Sequence, residues 1–252
     1  MDLGLNDRVY LVTGGARGLG RATAEVLVAE GARVVLSGRT EQSLASAARD
    51  LGGDQAAYVV GGNAVPDLPQ QLIAAARERW GRLDGALVSV GGPPAGSVAD
   101  TTDAQWTAAF ESVFLGGVRL AREVAAELGE GGAIAFVLST SVKAPLTQMA
   151  ISNGLRPGLA MVAKQLADEL GPRGIRVNGL LPGRVGTERV AELDALQSDP
   201  AAAKASAARG IPLRRDGEPS EFGRAAAFLL SPAASFVSGA MLPVDGGVMR
   251  AL

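Results

Sequence analysis

A short apolar run, Val9-Tyr10-Leu11-Val12, leads directly into Thr13-Gly14-Gly15-Ala16-Arg17-Gly18-Leu19-Gly20, and a helix-patterned segment, residues 21–28, follows. This order of strand, glycine turn and helix constrains the chain more than any other feature. Glycines admit positive φ and let the main chain come close to a ligand. The helix start beyond them offers free N–H groups and the positive end of a dipole. Together they make a cradle for an anion, phosphate above all. The glycine spacing alone is a weak signal; set between a strand and a helix, early in an α/β-patterned chain, it is a strong one.

Strand-like runs then alternate with helical ones. Arg33-Val34-Val35-Leu36-Ser37 precedes a helix near 41–51, and Ala56-Ala57-Tyr58-Val59-Val60 precedes one near 68–80. The run 85–90 precedes a long helix over 103–128, and 133–138 precedes one over 151–170. Residues 175–180 and 241–244 read as the last two strands. This alternation predicts a parallel sheet with helices on both faces. No linker, repeat or shift in composition divides the chain, so one domain over 1–252 is expected. The Ala-rich, polar segment 188–210 follows a strand end and carries few apolar anchors. It reads either as a lid over a site or as plain surface helix.

Hydrophobic residues make up 47% of the 252, enough for a large core rather than a disordered chain. A formal net charge of −2 argues against a nucleic-acid partner. There is no cysteine, hence no disulfide or thiolate chemistry. There is no histidine, which removes the commonest general base and metal ligand and every Ser-His-Asp arrangement. No metal is expected. With no run of about 18 apolar residues and no charged-then-apolar leader, the expectation is a cytoplasmic protein with no membrane partner.

Further motifs fall in order along the chain: Gly81-Arg82-Leu83-Asp84 before the fourth strand; Ile175-Arg176-Val177-Asn178 running to Leu181-Pro182-Gly183-Arg184-Val185-Gly186-Thr187; Ile211-Pro212-Leu213-Arg214-Arg215 with Gly217-Glu218-Pro219; and Asp245-Gly246-Gly247. With the glycine turn, they resemble the short-chain dehydrogenase/reductase family, and within it the 3-oxoacyl-carrier-protein-reductase-like branch. The resemblance covers nearly the whole chain. It implies a three-layer Rossmann fold with a seven-stranded parallel sheet, a nicotinamide cofactor and a homotetramer or homodimer.

NAD-selective sites carry an acidic residue at the end of the second strand. Here the sequence is Leu36-Ser37-Gly38-Arg39-Thr40, without a carboxylate. Arg39 and Arg17 resemble positions that NADP-preferring relatives use, and a guanidinium fork suits a 2′-phosphate; the alternative is two solvated surface charges. NADP(H) is the expected cofactor. Thr13, Gly14, Gly18, Leu19 and Gly20 form the glycine turn. The resemblance implies that Asn63 contacts the adenine, although a turn-forming role is open to it. It implies that Gly91 and Gly92 admit the ribose, and that Pro182, Gly183 and Val185 put backbone groups near the nicotinamide. Thr187 either bonds the carboxamide or caps the next helix.

The family ordinarily protonates the new alkoxide with a Tyr-x-x-x-Lys pair, aided by a Ser and an Asn. The only tyrosines here, Tyr10 and Tyr58, fall in predicted strands away from the site. Counting back along the helix from Lys164–Leu170 puts Ser152 in the tyrosine slot and Arg156 in the lysine slot. Ser139, thirteen residues earlier at the end of the fifth strand, takes the serine slot. Val113 takes the asparagine slot. Ser152 is thus either a catalytic hydroxyl or a helix-start residue without chemistry, while Arg156 retains a charge that can bind the ribose. Ser141 and Lys143 are further polar groups on the same rim. The resemblance implies an oxidoreductase interconverting a ketone and a secondary alcohol on a small carbonyl or alcohol substrate. The changed tetrad leaves two rivals: a scaffold or sensor that binds NADPH without consuming it, and a cyclase, isomerase or lyase that reuses the pocket.

Overall fold

A computed structural model describes residues 2–195 and 198–250. Seven strands form one parallel sheet in the order β3-β2-β1-β4-β5-β6-β7. They are β1 (Val9–Thr13), β2 (Arg33–Gly38), β3 (Ala56–Val60), β4 (Gly85–Ser89), β5 (Ala133–Val137), β6 (Arg176–Pro182) and β7 (Met241–Val244). The order reverses after β1, whose neighbours are β2 and β4. Such a reversal opens a crevice at the carboxyl ends of the strands, where ligands of open α/β sheets bind.

Alternation along β1 separates two cores. Val9 and Leu11 face a cluster shared with α3 (Leu68–Trp80), α5 (Gly116–Glu127) and α6 (Ala150–Leu170); Tyr10 and Val12 face one shared with α1 (Gly18–Ala29), α2 (Glu41–Asp50) and α9 (Pro219–Leu230). Strands buried on both faces read as continuous apolar runs, which is why β1, β4 and β5 are legible in the sequence.

The structure departs from the expected elements in three places. The long helix over 103–128 is not continuous: α4 (Asp103–Ala109) passes through a π-helical turn, Phe110–Leu115, into α5. Segment 188–210 is two helices, α7 (Glu188–Asp194) and α8 (Pro200–Gly210), with positions 196 and 197 outside the described residues. Helix α9 has no counterpart in the expected elements. Its signals are local: Glu218 and Glu221 form a capping box, Pro219 opens the first turn, and Phe222, Ala226, Leu229 and Leu230 bury one face.

The small residues of α5 and α6 are used within the chain. A Cβ at Gly116 would collide with the carbonyl of Asn63, one at Gly154 would meet the Trp106 ring, and one at Gly158 the Phe114 ring. Among the described residues no helix is long and apolar enough to cross a membrane.

Phe222 is fully buried between α9 and the sheet. Phe222→Ala should cost about 3–5 kcal/mol of stability, measured as a lower urea midpoint with the far-UV dichroism of the native state retained.

Candidate active site

The crevice is built from the carboxyl ends of β1, β4, β5 and β6. The loop after β1 holds Gly14 and Gly18 at φ of 61° and 59°, and a Cβ at Gly20 would collide with the Gly14 carbonyl. Only glycine fits this turn, and it leads straight into the N-terminus of the 12-residue helix α1. No side chain caps that end. The turn fits a dinucleotide diphosphate. Leu19 is half-buried against the core, which anchors the turn from behind.

Thr13 is completely buried and faces β4, not the cradle. Its hydroxyl accepts from the Ser89 N–H at 2.8 Å and donates to the Ser89 carbonyl at 2.9 Å. Asn63 Nδ2 donates to that same carbonyl at 3.1 Å. Thr13 and Asn63 therefore brace the end of β4, from which Gly91 and Gly92 emerge exposed, Gly91 at φ 71°.

Arg17 and Arg39 are exposed on the flank of the turn. Arg17 pairs with Glu192 of α7 at 2.8 Å, while Arg39 makes no salt bridge among the described residues. Its side-chain stem lies against Gly62, next to Asn63. On β2 the Ser37 hydroxyl is buried with no partner among the described residues.

Pro182 closes β6, and the Gly183 N–H donates to the Val244 carbonyl at 3.0 Å. Val185 is buried and pairs with Gly217. Thr187 occupies the N-cap position of α7, yet its side chain makes no capping bond; its methyl lies beside Gly18. Its hydroxyl is thus left for another partner. Arg189, which no motif marks, donates from α7 to the Pro93 carbonyl at 3.1 Å. Arg184 binds both Asp194 and Asp216. These ties fasten α7 over the crevice. α8 has no buried residue.

The catalytic-slot residues come together. Ser139 stands half-buried at the end of β5, and its Oγ accepts from the Ser141 N–H at 3.1 Å. Ser141 and Ser152 are both buried, with their hydroxyl oxygens 3.2 Å apart. Arg156, one helical turn beyond Ser152, is also buried. Its Nη1 donates to the carbonyls of Val137 at 3.0 Å and Leu138 at 2.6 Å, and its Nη2 donates to that of Gly91. Its Nε has no partner among the described residues. The guanidinium clamps the ends of β4 and β5, leaving one Nη2 hydrogen for a ligand. Burial pushes its pKa down to about 10, so it stays charged near neutrality.

Neither tyrosine can replace the missing phenol. Tyr10 is buried in β1, donates to the Leu230 carbonyl at 3.2 Å, and burial raises its pKa further. Tyr58 lies on edge strand β3. Val113 is buried in the π-helical turn, within the apolar cluster. Lys143 is exposed at the end of the turn after β5. Among the described residues no group of His, Cys, Asp and Glu could hold a metal ion.

A family model described as enoyl-(acyl carrier protein) reductase matches residues 14–249. The chain belongs to the short-chain dehydrogenase/reductase family. Its seven-stranded sheet is the Rossmann-like fold that the motifs imply. An uncharacterised oxidoreductase of Mycobacterium tuberculosis is 37% identical over 255 residues, covering 96% of this chain and 92% of its own length. L-Sorbose reductase from Gluconobacter frateurii, solved with NADPH and L-sorbose, is 30% identical with a TM-score of 0.91, and the match covers both chains fully. A short-chain oxidoreductase from Pseudomonas aeruginosa PAO1, described as containing an atypical catalytic center, is 27% identical with a TM-score of 0.91, again over both whole chains. Within this short-chain dehydrogenase/reductase framework, Ser89, Ser141 and Arg189 are the site residues whose contacts the motifs alone do not reveal.

An ammonium cannot span three carbonyls on two strands, and it is harder to desolvate than a guanidinium. Arg156→Lys should therefore lower stability by about 1–3 kcal/mol, the cost of buried polar groups left unpaired, in chemical denaturation followed by fluorescence.

Proposed function

We propose that the chain is an NADP(H)-dependent reductase that interconverts a small ketone and its secondary alcohol, using serine hydroxyls where relatives use a phenol. The observation that carries this reading is the placement of Ser139, Ser141 and Ser152 at the crevice beside a buried, charged Arg156, in a fold whose glycine turn fits a dinucleotide diphosphate.

Gly14, Gly18 and Gly20, with the free N–H groups of α1, hold the diphosphate. Arg17 and Arg39 hold a 2′-phosphate. For Arg17 this means exchanging Glu192 for the ligand, an exchange of one surface ion pair for another. Asn63 borders the adenine. Gly91, Gly92 and the remaining Nη2 hydrogen of Arg156 face the ribose. Pro182, Gly183, Val185 and the uncommitted hydroxyl of Thr187 receive the carboxamide. The bound reduced nicotinamide supplies the hydride. Ser139 and Ser152 orient the substrate carbonyl oxygen, which binding holds in reach of the donor; such positioning can exceed the contribution of a general acid. Residues 188–210 act as a lid on the single domain, and the chain assembles as a homotetramer or homodimer. The Pseudomonas relative, with its atypical catalytic center, supports the view that an altered centre is compatible with this fold.

NADPH consumption across a panel of activated and simple ketones tests the reading. Tight NADPH binding without consumption across the panel would favour the sensor, and product formed without cofactor oxidation would favour a non-redox enzyme. The cofactor preference is tested separately by calorimetry. Arg17→Ala with Arg39→Ala should weaken NADPH binding about 10–100-fold, the loss of charge-assisted hydrogen bonds, and leave NADH binding nearly unchanged. Equal losses for both would refute the assignment.

A further inference from the structure

We infer that Ser141 is a positioning residue that ties Ser139 and Ser152 into one site for a negatively charged oxygen, a site that stabilises an alkoxide by its field instead of by proton donation. The inference rests on the reading above, in which the substrate carbonyl enters at Ser139 and Ser152.

Ser141 lies in the short 3₁₀ turn after β5, Thr140–Val142, and is 4% exposed. Its main-chain N–H fixes the Ser139 oxygen, and its hydroxyl meets that of Ser152 across from α6. One residue thus sets the geometry of both others. The hydrogens can be counted. Ser139 Oγ receives a bond from Ser141, and its own hydrogen has no acceptor among the described residues. The Ser141 and Ser152 hydroxyls share one hydrogen between them, which leaves the other free. Two hydrogens remain, and a carbonyl oxygen has two lone pairs to receive them.

The surrounding charge has one sign. Arg156 sits on the same face of α6 as Ser152, and its bonds go only to neutral carbonyls. Ser152 is the third residue of a 21-residue helix, at the positive end of its dipole. Among the described residues no carboxylate bonds to the three serines or to Arg156. An isolated buried cation is costly unless something offsets it, and an anionic oxygen on the hydroxyls does so only while the reaction needs it.

The step balances without a side-chain acid. A bound reduced nicotinamide would supply the hydride for the new C–H bond and be oxidised by it, as the carbonyl π pair moves onto oxygen. The two hydroxyl hydrogens hold that alkoxide. Water would then give it a proton, releasing hydroxide. No serine loses its proton.

The absence of cysteine makes a direct test available. Ser152→Cys introduces the only thiol, whose thiolate absorbance can be titrated in protein free of nucleotide. An ordinary cysteine titrates near about 8.5; the site should hold the introduced thiol below about 7.5, as cationic surroundings do. Adding Ser141→Ala should raise that value by about one unit. A thiol pKa above about 8.5, the result of apolar burial alone, would overturn the anion site. A low value that Ser141→Ala leaves unmoved would overturn the role of Ser141. With the ketone consumed fastest, Ser141→Ala should lower kcat about 10–100-fold, near the loss of one oxyanion donor, with KM little changed. Ser141→Thr, which keeps the hydroxyl, should restore most of kcat. A low thiol pKa in the S152C variant of a chain that consumes NADPH with no ketone would refute the reductase and leave the anion site standing. A high one in a chain that does turn over would refute the site and leave the reductase.

Discussion

No side chain fits at position 20. A Cβ there would collide with the carbonyl oxygen of Gly14, because the first turn of α1 rests directly on the loop that leaves β1. That contact fixes the direction of α1, aims its free N–H groups into the crevice and sets how near the helix lies to the sheet. The same kind of contact recurs outward. Gly223 of α9 meets the backbone of Ala22 on α1, and Gly116 of α5 meets that of Asn63. The layers around the crevice are spaced by main chain touching main chain, which gives side-chain motion little room to blur the geometry.

The crevice itself depends on strand ends that do not drift apart. Thr13 and Asn63 converge on Ser89, and Arg156 gathers carbonyls from the ends of β4 and β5. A guanidinium without a carboxylate partner is an expensive fastener to bury. Its use here makes sense if the positive field it creates is itself wanted. The same residue then ties the rigidity of the strand ends to the positive field at the crevice.

Most of the sheet was legible because its strands carry apolar runs, continuous in β1, β4 and β5, which are buried on both faces. The glycine turn was legible because its constraint is local. Helix α9 went unread although a capping box, Pro219 and one buried face mark it locally; it starts at the end of a stretch, 211–219, whose motifs read as turns. The π-helical turn was not legible, because nothing in Phe110–Leu115 departs from ordinary helix-forming sequence. At the site, the residue types in each slot could be read by counting, but what they touch could not. Arg156 reaches Gly91, 65 positions away, and Ser141 reaches Ser152 across two elements. Those contacts depend on tertiary geometry, which a one-dimensional pattern does not encode. The contacts of Thr13 were hidden in the same way: the residue belongs to the glycine motif, and its hydroxyl bonds to Ser89 of β4.

The wide turn at Phe110–Leu115 houses one residue more than an ordinary helical turn would. Each residue of regular α-helix advances the winding by about 100°, and the wider turn spreads its extra residue over the loop so that α4 and α5 stay nearly in phase. Trp106 is thereby kept at the notch that Gly154 leaves for it, at the start of the helix that carries Ser152 and Arg156. The bulge lets the chain lodge Val113 in the apolar cluster without turning the indole away from its seat.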